Sequence, residues 1–169
     1  MCKFKKREYR FHFNSWDKLA GGTDHDSREF DLQIAEDLVD LKRMGGSVYL
    51  YVDNVAMDVT GLTTYFVNVF FEFLAGGGFA QRIDNYHPSN NDQYKLQIVS
   101  LPTDHADEKY STYSSGTSRV DLTNSIQSLS TVRVNLKTEE GGDITTAVKN
   151  GFVVTGRILV KEPIIEDDK

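Results

Sequence analysis

The chain has 169 residues, with 19 Lys and Arg against 25 Asp and Glu and a formal net charge of -6. This length suits one domain, which can bury about 70% of its unfolded-chain surface without a disulfide or metal staple. The acidic balance argues against a wholesale nucleic-acid coat or a membrane-surface binder.

Cys2 is the only cysteine, so no intrachain disulfide can form, and a reducing compartment is expected. No apolar run approaches the ~20 residues of a membrane span. The basic start lacks an apolar core, so no secretion signal is expected.

Residues 1–10 concentrate Lys3, Lys5, Lys6, Arg7 and Arg10 around the single acid Glu8. They read as a basic arm reaching beyond the domain toward an acidic surface, the one place where nucleic acid could also bind. Phe4, Tyr9, Phe11 and Phe13 give the segment strand character, so it is more than a solvated tail.

A turn-rich stretch containing Gly21-Gly22 follows, then EFDLQI, with Phe30, Leu32 and Ile34 on one face. In AEDLVDLKRM, Ile34, Leu38 and Leu41 have helical spacing and Gly45 suits a C-cap, while Val39 and Leu41 also fit an edge strand. SVYLYVD alternates cleanly, with Val48, Leu50 and Val52 opposite Tyr49, Tyr51 and Asp53.

The next strand, TTYFVNVFFEFL, is apolar on both faces from Val69 to Leu74. Such a strand needs burial on both sides or cover from another chain. Phe70, Phe71 and Phe73 therefore join the arm cations as candidate interface residues. Gly76-Gly77-Gly78 reads as a turn, because no Lys-Ser/Thr follows to complete a phosphate loop.

Residues 80–86 suggest a short strand and HPSNND a turn. QYKLQIVSLP is a strand with Tyr94, Leu96 and Ile98 inward, ended by Pro102. Residues 103–130 form a polar excursion with one strand expected at SRVDL. TVRVNLK places Val132, Val134 and Leu136 inward and Arg133, Asn135 and Lys137 toward solvent or a neighbour. A turn within Glu139 to Asp143 then leads to a closing strand. Phe152, Val154, Ile158 and Val160 return to the core there, with Gly156 absorbing a bend.

Together these elements predict an all-β, single-domain two-sheet sandwich over residues 11–162. It is jelly-roll-like, with long polar loops, at most a short helix, and an acidic tail over 163–169. Periodicity does not separate jelly roll from immunoglobulin-like topology, although no Cys-Trp-Cys pattern supports the latter.

No reaction is marked. Asp24-His25-Asp26 and the run Asp104-His105-Ala106-Asp107-Glu108 match neither a structural zinc pattern nor a calcium loop. No Gly-x-Ser-x-Gly elbow is present. No catalytic residue, metal site or cofactor is expected. Trp16, Tyr49 and Tyr51 could form a carbohydrate platform, the basis of an alternative reading as a non-catalytic binding module.

The segment FHFNSWDKLAGGTDHDSREFDLQI resembles small minor capsid and cement-type jelly-roll proteins of large double-stranded DNA viruses and virophages. The resemblance rests on Phe11, Phe13, Asn14-Ser15, Lys18, Gly21-Gly22 and the strand Phe30, Leu32, Ile34. VYLYVDNVAM is similar to that family's next strand, and LSTVRVNLKTEEGGDITTAVKNGFVVTGRILV to its closing hairpin. Lys18 stands where the family pattern has arginine, and residues 103–130 have no counterpart in it. The resemblance implies a virion structural protein, assembled in the host cytoplasm or nucleus. Its expected partners are other capsid subunits, in a homo- or hetero-oligomer.

Overall fold

The structure, a computed structural model, describes residues 3–15, 29–32, 34, 38–73, 95–103, 110–114, 119–124, 129–139 and 151–164. Its elements are β1 (Phe4–Asn14), β2 (Glu29–Asp31), α1 (Leu38–Arg43), β3 (Ser47–Asp58), β4 (Phe66–Phe73), β5 (Lys95–Pro102), β6 (Tyr110–Ser114), β7 (Arg119–Asp121), β8 (Thr131–Thr138) and β9 (Phe152–Pro163).

The strands pair antiparallel in a nested order. β1 lies against β9, β2 against β8, β3 against β6 and β7, and β4 against β5. β6 and β7 share one strand position, covering Asn54 to Asp58 and Tyr49 to Tyr51 of β3 end to end. The chain is therefore one long ribbon doubled back between β4 and β5. Pairing of β9 with β3 and of β8 with β4 rolls that ribbon into two sheets, β1-β9-β3-β6 (with β7 also on β3) and β2-β8-β4-β5. A ribbon rolled this way into two facing sheets is a jelly roll.

The sheets pack through the alternating positions expected from the sequence. Val48, Leu50, Val52, Val154, Ile158 and Val160 from the first sheet share one core with Val132, Val134 and Leu136 from the second. An aromatic cluster ties the layers together. Phe13 stacks on Phe11 and on Phe30, each at 4.6 Å between centroids, and Phe71 meets the rings of Phe11 and Phe13 edge-on at 6.0 and 5.8 Å.

α1 resolves the helix-or-strand ambiguity. Leu38 and Leu41 are its buried residues. Gly45, at φ 82°, ends the helix, with its N–H on Lys42 O and the Gly46 N–H on Leu41 O. Positive φ costs glycine nothing sterically, which is why the helix stops there.

Four expectations change. First, the arm over 1–10 is not separate from the domain. From Phe4 onward it is paired with β9 in unbroken register, from Phe4 opposite Pro163 to Asn14 opposite Val153. β9 extends through Pro163 and offers that strand a full-length partner.

Second, the apolar phase of β5 slips. Val69 lies opposite Val99 but Phe70 lies opposite Gln97, so Ile98 is an extra residue in the ladder. The core then takes Leu96, Val99 and Leu101, with Ile98 only partly buried.

Third, Asn135 and Lys137 are buried although they point away from the core. Fourth, Gly156 makes a close approach instead of a bend. A Cβ there would lie 2.2 Å from the Tyr51 carbonyl oxygen and 2.5 Å from the Phe11 ring. The irregularity sits across from it, between Val52 and Asn54 of β3. The Glu139–Asp143 turn lies mostly outside the described residues.

Candidate interaction surfaces

Strand alternation sorts the candidate cations into two groups. Phe11 and Phe13 face the core, so Lys5 and Arg7 share their side of β1, while Lys6 and Arg10 share the outer side with Glu8. Arg7 pairs with Glu162 at 3.0 Å. Lys3 precedes the strand and accepts the Ile164 N–H on its carbonyl oxygen.

Lys6 and Arg10 thus join a single outer surface with β9, β3 and β7. Registers place Lys6 opposite Lys161, Arg10 opposite Arg157, Arg157 opposite Tyr51, and Tyr51 opposite Arg119. The Arg157 guanidinium sits 4.7 Å from the Tyr51 ring centroid. Arg119 and Lys161 bracket Tyr49 at 4.6 and 4.9 Å. These are cation–π distances. Sequence reading found Tyr49 and Tyr51 as outward residues but missed Arg119, Arg157 and Lys161. Only the strand register brings those three over the tyrosines.

Phe70, Phe71 and Phe73 do not form an interface patch. Phe71 and Phe73 lie in the core. Phe70 points to the opposite side of the sheet, yet it is 7% exposed within the single chain. The described part of the doubly apolar run therefore gives no argument for a neighbouring subunit; Leu74 lies outside the described residues. Around Phe70 the outer face is a polar network. Glu72 accepts from Arg133 and Asn135, each at 3.4 Å, and Gln97 donates to Asn68 Oδ1 at 3.1 Å.

Besides Phe4 on β1, two exposed aromatic residues lie together at the start of β4. Tyr65 is 71% exposed and Phe66 49%. Their backbone is held on both sides. The Glu139 carboxylate accepts the Tyr65 N–H at 3.2 Å and the Phe66 N–H at 3.4 Å, and also meets the Thr64 hydroxyl. The Thr103 N–H donates to Tyr65 O at 2.9 Å. Hydrogen bonds from its own backbone, and from the N–H groups of Tyr65 and Phe66, hold the Glu139 carboxyl below the usual glutamate range, with desolvation acting the other way. A carboxylate at the end of β8 thereby fixes two aromatic residues that face solvent.

Among the described residues no group of three or more His, Cys, Asp and Glu could hold a metal ion. Trp16, His25, His87, His105 and the acidic runs around His25 and His105 lie outside the described residues. No described helix is long and apolar enough to cross a membrane. The chain matches no protein-family model and no curated protein.

Proposed function

We propose that this chain is a virion structural subunit of the minor capsid, cement or vertex type, working by contact with other subunits and not by a reaction. Three things support the reading: the resemblance carried by the Asn14-Ser15 turn and closing hairpin, the jelly-roll order of the strands, and the exposed aromatic pair. A fold alone does not specify function, so the pair carries the most weight. Tyr65 and Phe66 are large and exposed, on a backbone held by Glu139 and Thr103. Aromatic side chains carry a large apolar area on few rotatable bonds, so on a fixed backbone they are favoured as interface anchors.

The alternative carbohydrate platform fits less well, because the rings of Tyr49 and Tyr51 already carry cations. The test is the double variant Tyr65→Ser/Phe66→Ser. It should fold like the parent by circular dichroism yet fail to enter particles, or to co-purify with its neighbour subunit. Full incorporation of the folded variant would overturn the role given to the pair.

A further inference from the structure

The outer surface of the β1-β9-β3-β7 sheet contains two like-charge pairs placed directly across from one another, Arg10 with Arg157 and Lys6 with Lys161. Like charges directly opposite on neighbouring strands destabilise a sheet. The first pair is neutralised from within the chain. Glu8 lies 3.1 Å from Arg10 and 3.6 Å from Arg157, and Asp53 lies 3.7 Å from Arg157.

The second pair differs. Among the described residues no carboxylate contacts Lys6 or Lys161, and Lys161 instead leans over the Tyr49 ring. Arg119 leans over the same ring from the other flanking strand, also without an ion-pair partner among the described residues. Asp121 lies opposite Tyr49, where its Oδ1 accepts the Thr123 N–H at 2.9 Å, and it makes no ion pair with Arg119. One corner of the sheet therefore holds Lys161 and Arg119 over one tyrosine and Lys6 across from Lys161, and among the described residues none of the three has an ion-pair partner.

We infer that Lys161 and Arg119, both held over Tyr49, together with Lys6 across from Lys161, dock an acidic segment of a partner protein lying extended across the strands. The cation–π contacts hold Lys161 and Arg119 in place before a ligand arrives, which lowers the ordering cost of binding. Guanidinium and ammonium groups suit carboxylates. Alternate side chains of an extended peptide point to one side, so carboxylates on alternate residues would all face the sheet.

Nucleic acid fits this corner poorly. Single-strand readers offer free aromatic faces for base stacking, and here cations from both flanking strands already sit over the Tyr49 ring. The inference does not depend on the virion reading, since it needs only an acidic protein partner.

The test is fluorescence anisotropy of the full chain with a fluorescein-labelled peptide of alternating Glu and Ser, a peptide of Ser alone, and a labelled oligothymidylate. The acidic peptide should bind, and should weaken as salt rises. The double variant Lys161→Gln/Arg119→Gln should lose on the order of tenfold or more in affinity, while Lys42→Gln on α1 leaves it unchanged. Lys6→Gln should lower affinity while leaving the melting temperature equal or higher, because it relieves the opposed lysines. A purely structural role for Lys6 would lower both. Equal binding by the double variant, no binding of the acidic peptide, or tighter binding of the oligothymidylate would each overturn the inference.

Discussion

Phe71→Ala separates a core role for the β4 phenylalanines from an interface role. Phe71 is 1% exposed and touches the rings of Phe11, Phe13 and Phe73. A buried aromatic side chain removes about 150–250 Å² from water. At about 25 cal/mol per Å² that corresponds to roughly 4–6 kcal/mol. Alanine keeps a little of this, and the cavity left in a rigid core adds a cost, so the measured range for such changes is about 3–5 kcal/mol. A typical domain has a total stability of about 5–15 kcal/mol, so the loss would be a large share of it. Urea denaturation followed by far-UV circular dichroism reads the change. With a slope of roughly 2 kcal/mol/M, the midpoint should fall by about 1.5–2.5 M. Phe71→Leu should lose much less, since it keeps most of the volume. If Phe71→Ala left the midpoint within about 0.3 M of the parent and only changed the oligomeric state, the shared core would be wrong.

Gly156→Ala should destabilise by about 1–3 kcal/mol or more, because the Tyr51 carbonyl facing the new methyl is backbone and cannot step aside; a neutral urea midpoint would refute the close approach. Ser15→Ala should cost about 1–3 kcal/mol, since the fully buried Ser15 hydroxyl accepts the Phe152 N–H at 2.9 Å and nothing would replace it; an unchanged melting temperature would count against that bond. The Glu139 carboxyl titrates below its ordinary 4.5 because the charged form accepts backbone N–H bonds. Its hold on the Tyr65 and Phe66 amides should therefore be intact above that value and lost as pH falls through the lowered one. An NMR titration of those amides should show a midpoint below 4.5 in the parent and none in Glu139→Gln; a parent midpoint at or above 4.5 would contradict the sign.

Much of the sandwich was legible because a half-buried strand writes its register in alternate residues. Val132, Val134 and Leu136 against Arg133 fixed the core side of β8. Phe152, Val154, Ile158 and Val160 did the same for β9. The readable pattern failed where a strand broke its own period. One extra residue at Ile98 shifted β5 from Leu96 to Val99 and Leu101.

It also failed where the second face of a sheet was buried. Phe70, Asn135 and Lys137 look solvent-directed by alternation and are covered all the same. The basic start read as an arm because charge dominates its composition, whereas pairing with β9 depends on a strand about 150 residues away. The interaction surfaces were hidden for the same reason. Nothing local links Glu139 to Tyr65, or Lys161 to Arg119, and only the rolled ribbon brings them together.

The claim that this chain serves an assembly by contact is tested most directly by weighing particles. Density-gradient-purified, protease-treated particles would be analysed by quantitative mass spectrometry for this chain and for the major coat subunit. The account predicts that the chain is retained, at a fixed ratio to the coat subunit that is constant across the particle peak. Absence of the chain from intact particles, or an amount that varies from fraction to fraction as a contaminant would, contradicts it.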